Sequence, residues 1–364
     1  MEIIDGMIDF LEKSPTKYHF ISQVRKLLLK SKLKDLDSED LDFGMPKKGF
    51  VSLNRDSLIA YKSGSFESSL ILFSSTDSIS SLKLTINDDK MGLNLNETCE
   101  EKATQWISRD LKMAGKVELK NNKILLFDSM SQIALIQPNF EPFLFIDEKN
   151  IKNYLADLLK VEKEELDLEK SEIYLSDFQK AEFLNDSKST LNYHNLSTHA
   201  TSYLALKSFL QAEPSNSNIF LILSSKESNN FLFEKLNDLH QRIFPEKYLE
   251  ILKNSYIISV NGIPANSLKN EVHENVSLTK GLVFQTNNEK VFCELKKSAE
   301  KFGIPYQNLN KEFKVNLNGF ESIPSVRISL PLFECESCRE TASISELFNL
   351  HNLLHEVFQN ILFK

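Results

Sequence analysis

Glycine is scarce in this chain, 10 of 364 residues, which is under half of the ~7% usual in globular proteins. Few positions are left where backbone could close on a phosphate. The sequence has neither a G-x-x-x-x-G-K-[ST] loop nor a G-x-G-x-x-G fingerprint, which removes the common nucleotide-binding classes. Cysteine is sparse as well: Cys99, Cys293, Cys335 and Cys338 are too few, in a chain this long, for the disulfide framework of a small secreted domain, so a reducing compartment is expected. No apolar run approaches the ~20 residues of a membrane span. The opening Met1-Glu2-Ile3-Ile4-Asp5 is acidic where a secretory leader is basic. Basic charge is in the minority, 43 Lys+Arg against 51 Asp+Glu for a net charge of −8, and it forms no arm or stripe. Neither nucleic acid nor an anionic membrane is an expected partner. A cytoplasmic location is the expectation.

What is present is an ordinary folding composition, 41% hydrophobic and 26% charged, in a length that suits about two domains. Ser14-Pro15-Thr16 offers a helix cap before Phe20, Ile21, Val24, Leu27 and Leu28, whose 3 and 4 spacing makes one apolar face. Short β runs follow at 50–53, 58–61 and 69–73, and a β-rich stretch from 81 to 146. A charged helix is predicted over 150–167, with 160–170 as a solvated helix face. The polar residues 177–195 read as a return crossing. From about Thr198 the pattern alternates: helix 200–211, strand 219–223, helix 231–244, strand 256–259. Ser343 and Glu346 suggest a capping box for a last helix whose buried face is Leu347, Leu350, Leu354, Val357, Phe358 and Ile361. The fold class is α/β.

Three apolar runs end in polar clusters: Ser74-Ser75-Thr76-Asp77, Ser224-Ser225-Lys226-Glu227 and Ser259-Val260-Asn261. In open α/β sheets ligands bind outside the carboxyl ends of the strands, so a site is expected there. Elsewhere the chemistry is thin. His351 and His355 have an i, i+4 spacing, but Asn352 stands where an H-E-x-x-H site needs its glutamate. Cys335 and Cys338 form a lone C-x-x-C, and a redox role needs a thioredoxin-like strand-to-helix setting. Ser75 with His194 or His199 lacks a G-x-S-x-G elbow.

Taken in order, several segments resemble the aspartyl aminopeptidase (aminopeptidase I) family of zinc metallopeptidases. Phe10-Leu11-Glu12-Lys13-Ser14-Pro15-Thr16-Lys17-Tyr18-His19 is similar to the family's F-L-x-x-S-P-[ST]-x-[FY]-H-A. Lys48-Gly49-Phe50-Val51 to Ser57-Leu58-Ile59-Ala60-Tyr61 resembles its next hairpin. Trp106-Ile107-Ser108-Arg109-Asp110-Leu111 through Ala114-Gly115-Lys116-Val117 closely matches W-F-D-R-D-L-x-x-A-G-[RK]-V. Weaker matches continue to the end. The resemblance implies a three-layer zinc-aminopeptidase-like α/β domain, residues 1–82 and 190–364, interrupted by a β-rich dimerisation-type insert at 83–189.

The family uses two zinc ions, a bridging Asp and a Glu that activates water. Carried over by position, G-A-H-T-D-S reads Phe73-Ser74-Ser75-Thr76-Asp77-Ser78, so Ser75 replaces a ligand His while Asp77 survives. Ser197 stands at the bridging Asp, Lys226 at the catalytic Glu, and Glu227 at a retained ligand Glu. Asn261 replaces a ligand Asp, and Glu336, in Cys335-Glu336-Ser337-Cys338-Arg339-Glu340, a ligand His. A-I-H-L reads Ala134-Leu135-Ile136-Gln137, which removes a His that acts across subunits. A hydroxyl cannot bridge two cations, a carboxamide is a poor zinc ligand, and a charged lysine cannot take a proton from bound water. The resemblance thus implies a non-catalytic member that acts as an assembly or binding protein, without cofactor, as a homodimer or larger assembly or beside an active paralogous subunit. The alternative is a metal-dependent aminopeptidase, holding zinc and taking acidic N-terminal residues from peptides, with ligands hidden among His194, His199, Asp186 and Glu213. In the non-catalytic reading Lys226 is expected to pair with Asp77, Glu227 and Glu336, and Lys226→Ala to destabilise the fold.

Overall fold

The structure is a computed structural model that describes residues 2–37, 45–64, 66–87, 90–93, 104–139, 141–145, 150–214, 217–266, 276–286, 288–309 and 322–360. Cys99 and Ile361 lie outside them. The strand Ser69–Ser75 runs parallel between Asn218–Ser224 and Tyr256–Pro264, and Tyr256–Pro264 is parallel in turn to Ser325–Phe333. These four strands are the middle of a sheet of twelve among the described residues. Asn218–Ser224 is buried along its whole length, as a parallel strand covered on both faces must be.

Alternation along the strands divides the apolar side chains between two layers. Leu58, Ala60, Leu70, Leu72, Leu221 and Leu223 join a core with the helices Glu2–Glu12, Lys17–Lys30, Thr201–Gln211 and Ile344–Asn360. Ile59, Tyr61, Ile71, Phe220 and Ile222 face the other way, onto Leu232, Leu236 and Leu239 of the helix Asn229–Ile243. Helix, sheet and helix make the three-layer α/β architecture that the resemblance implies.

A second sheet, seven strands among the described residues, runs from Ser81–Asn87 to Leu166–Asp177 around the strand Leu111–Leu119. Trp106, Leu111, Met113, Val117 and Leu175 form its core with Ile151 and Leu155 of the helix Ile151–Leu159. Gly115 is required there, because a Cβ would lie 2.2 Å from the Glu172 carbonyl oxygen, where the pairing with Leu166–Asp177 bulges.

Three local expectations change. The predicted helix over 150–167 ends at Leu159, with Lys160 left-handed at φ 55°, and 160–170 is no helix face. It holds a short turn at Lys163–Glu165 and enters Leu166–Asp177, whose Leu166, Ile173 and Leu175 alternate into the core. The return crossing contains the strands Glu182–Leu184 and Thr190–Tyr193, which join the larger sheet. Ser343 and Glu346 do not make a capping box. Ser343 Oγ lies 2.8 Å from Ser345 Oγ, and Glu346 Oε1 accepts from the Gly281 amide at 2.9 Å. The turn at Gly281, with φ 98°, packs against the helix start and takes the carboxylate.

Candidate functional site

Because Ser75 is in register with Ser224, and Ser74 with Val260, the three polar clusters arrive together at one end of the sheet. Asp77 is fastened there. It accepts from Ser75 Oγ at 3.0 Å and from the Lys226 amide at 3.2 Å, while its own amide donates to Ser75 Oγ at 3.1 Å. Burial raises the Asp77 pKa against the pull of the Ser75 hydrogen bond and the charges of Lys17 and Lys226. Asn261 Oδ1 accepts from Ser329 Oγ at 2.9 Å, which occupies the carboxamide within the sheet.

The cation of this region is Lys17. Its ammonium lies 2.8 Å from Glu227 Oε2 and 3.1 Å from Asp56 Oδ2. Lys17 and Asp56 are buried, whereas the Glu227 side chain is 65% exposed. Burial alone would lower the Lys17 pKa, but the hydrogen bond to Glu227 and the charges of Asp56 and Glu227 raise it. Lys226 was expected in this role and does not fill it. Its side chain is exposed and makes no ion pair among the described residues. The Thr16 cap, which accepts from the His19 amide, sets Lys17 on the first helical turn facing the carboxylates, and Lys226 acts on Asp77 through its backbone amide and, without an ion pair, its charge.

The next residue, Tyr18, extends the network into the second sheet. Its hydroxyl donates to Glu172 Oε1 at 2.5 Å, and Lys116 bonds the same oxygen at 2.8 Å. Burial would raise the Glu172 pKa, but the bonds from Lys116, Tyr18 and Tyr174 hold it at about 2. Glu340 makes a second tie. Wholly buried, it accepts from the Ser197 amide at 2.8 Å and from the Glu336 amide at 2.7 Å. One carboxylate thus joins the backbones at two positions where the resemblance places metal ligands. Burial raises its pKa despite these bonds. Lys226 and Glu336 both line a cavity of about 240 Å³, with Lys83, Trp106 and Tyr174 of the second sheet on its other wall.

The donors do not fit a dinuclear zinc centre. Among the described residues no three His, Cys, Asp or Glu side chains are grouped to hold a metal, and the aligned positions offer two hydroxyls, a carboxamide and an ammonium beside the carboxylates of Glu227 and Glu336. No three of the alternative ligands are grouped among the described residues, and His199 Nδ1 is buried there without a hydrogen-bond partner. His199 Nε2 is 2.9 Å from the Thr76 carbonyl oxygen, and His194 Nδ1 is 3.2 Å from Asn195 Nδ2. Burial lowers both pKa values, that of His199 to about 4. Asp186 is exposed, and Glu213 lies 3.7 Å from Lys62. Ile136, at the position of the cross-subunit His, is a fully buried core residue.

His351 Nδ1 is 3.0 Å from Ser208 Oγ. Cys335 and Cys338 occupy the turn between Ser325–Phe333 and Glu340–Ser343, not a strand-to-helix junction, and burial raises the Cys338 thiol. Sequence reasoning missed Lys17 and Glu340. The signals available were a lysine directly after a helix cap and the acidic residue that closes the Cys335–Glu340 segment.

Comparison with known proteins shows what the chain is similar to. The family described as Aminopeptidase I zinc metalloprotease (M18) matches residues 10–147. "Probable M18 family aminopeptidase 2" of Borreliella burgdorferi is 22% identical, across 96% of this chain and 96% of its own. The crystal structure of aminopeptidase I from Borrelia burgdorferi B31 shares the fold with a TM-score of 0.82 at 17% identity, over 99% of this chain and 96% of that one. The mApe1 dodecamer of S. cerevisiae gives 0.78 at 17% identity, over 98% of each chain.

Proposed function

On the premise that this chain is an M18 aminopeptidase family protein, we propose that it is a non-catalytic member that acts by assembly and binding. The observation that carries this reading is the donor set: Ser75, Ser197, Lys226, Asn261 and Glu336 stand at five of the positions that would hold or use the metals. A hydroxyl and a carboxamide give zinc too little charge, and an ammonium at the base position repels it. The buried ion pair of Lys17 and Asp56 supports the same reading, because it balances a carboxylate of this region with an ammonium in place of a metal ion. Asp77 and Glu227, both retained, then serve loop geometry and charge balance.

The assembly is proposed to be a homodimer or larger, built through the β-rich insert. That insert is expected at 83–189, between the metallopeptidase-like segments 1–82 and 190–364, and we place it from Ser81 to Asp177, where the strands of the smaller sheet begin and end. The cytoplasm is the proposed location; no helix among the described residues is long and apolar enough to cross a membrane. An active paralogous subunit is a second candidate partner. The test is elemental analysis of untagged protein before and after incubation with excess zinc, together with hydrolysis of peptides bearing N-terminal Asp or Glu. Background metal and no hydrolysis are expected. About two ions per chain with release of the acidic residue would replace this reading by a working, zinc-dependent aminopeptidase.

A further inference from the structure

Between the helix Lys17–Lys30, the turn after the strand Lys48–Ser52 and the strand Ile124–Asp128 lies a cavity of about 640 Å³. That is within the ~300–1,000 Å³ of ligand sites. Its charge has one sign. Arg25, Lys26 and Arg55 line it, with no aspartate or glutamate among the described residues of the wall, in a chain whose net charge is −8. Arg25 is committed, pairing with Asp35 at 2.5 Å and donating to Ser52 Oγ at 2.7 Å. Lys26 and Arg55 are exposed and make no ion pair among the described residues. Beside them stand Leu29 and Leu126, 51% and 36% exposed.

We infer that this groove binds an acidic peptide segment, with its carboxylates on Lys26 and Arg55 and an apolar side chain on Leu29 and Leu126. Charge complementarity selects the anion. The two exposed leucines select a peptide over a nucleic acid, since their wall needs an apolar side chain that a sugar-phosphate chain does not offer. Tyr18 lines the same groove and donates to Glu172, so an occupant would touch the network that joins the two sheets. The inference rests on the reading of the chain as a binding protein and names what it binds.

The experiment uses the full chain and a fluorescein-labelled peptide alternating Glu and Leu, followed by anisotropy. Saturable binding is expected, weakened at least ~tenfold by Lys26→Glu with Arg55→Glu and strengthened by lowering salt. A peptide with Lys in place of Glu should fail on the native chain and bind the double variant. Both substituted side chains are exposed, and a melting curve checks that the variant folds. Absence of binding, equal binding by the double variant, or stronger binding of a single-stranded thymidine oligonucleotide overturns the inference. So does a change of oligomeric state in the double variant, which would assign the groove to a second copy of the chain. Metal content and hydrolysis are measured on the same sample. Two bound zinc ions with hydrolysis end the non-catalytic reading, whereas a failed peptide titration on metal-free, inactive protein ends only the groove assignment.

Discussion

The guanidinium of Arg339 lies 3.2 Å from the carboxylate of Asp177, and both side chains are almost completely buried. Arg339 directly precedes the strand Glu340–Ser343 of the larger sheet, and Asp177 ends the strand Leu166–Asp177 of the smaller one. The same guanidinium donates to Asn192 Oδ1 at 2.6 Å and to the carbonyl oxygens of Lys180 and Asn192 at 3.0 and 3.1 Å. A planar fork can reach all of these at once and an ammonium cannot. Arg339→Lys is therefore expected to cost about 3 kcal/mol, the scale for breaking a buried, hydrogen-bonded ion pair, read as a lower midpoint in urea. An unchanged midpoint would mean that the sheets are held together elsewhere.

Lys17 and Lys226 should behave in opposite ways. Lys17→Met leaves Asp56, buried at 4% exposure, without its ammonium and is expected to destabilise by about 3–5 kcal/mol. Lys226→Ala removes an exposed, unpaired side chain and should stay within about 0.5 kcal/mol of the native protein. This reverses the expectation from residue identity alone. Melting temperatures of the two variants decide it.

Acid should unfold the protein early. Burial lowers the pKa of His199 and His240 to about 4, and holds that of His194 well below its ordinary value. The unfolded chain takes up these protons near ~6.5 while the folded chain refuses them. Stability is therefore complete above that value and falls as pH drops from it toward 4. A melting temperature that is flat between about pH 7 and 5 would count against neutral, buried histidines.

Glu346 has the opposite sign. Burial raises its pKa to about 7 against the bonds from Gly281 and Thr279, and its Oε2 has no partner. The folded state favours the protonated form, so its contribution is whole below the unfolded value of ~4.3 and is lost as pH rises through 7. Glu346→Gln is expected to stabilise at about pH 8, by on the order of 1 kcal/mol, and to be near neutral at about pH 5. Paired thermal melts at the two pH values test it.

If the five aligned positions face one centre, as the proposed function has it, returning the family's residues to them should let the chain hold metal. The combined variant Ser75→His, Ser197→Asp, Lys226→Glu, Asn261→Asp and Glu336→His is expected to retain zinc through gel filtration where the native chain does not, read by elemental analysis. A folded variant that stays metal-free would show that these five positions do not face a common centre.

The layers were legible because burial writes itself into periodicity: the run 219–223 alternates its side chains between two cores. The strand ends that carry Asp77, Lys226 and Asn261 could be read for the same reason. The electrostatic partners could not. Lys17 meets Glu227 across 210 residues, and nothing in either local sequence marks the other. The 160–170 segment misled because its charges suit an exposed helix, while its one early core residue, Leu166, pairs opposite Leu119 in a strand. Glu346 had the spacing of a cap, and a turn distant in sequence claimed it.

The chain has a single tryptophan, Trp106, and it is buried in the core of the smaller sheet with Cys338 beside it. Intrinsic indole emission is therefore a spectroscopic reporter planted in one half of the molecule. A denaturation curve followed by fluorescence records the melting of that half, while circular dichroism, weighted by the helices that flank the larger sheet, records the other. If the two curves coincide, the buried ionic seam at Arg339 transmits unfolding from one half to the other. If they separate, each half can open without the other.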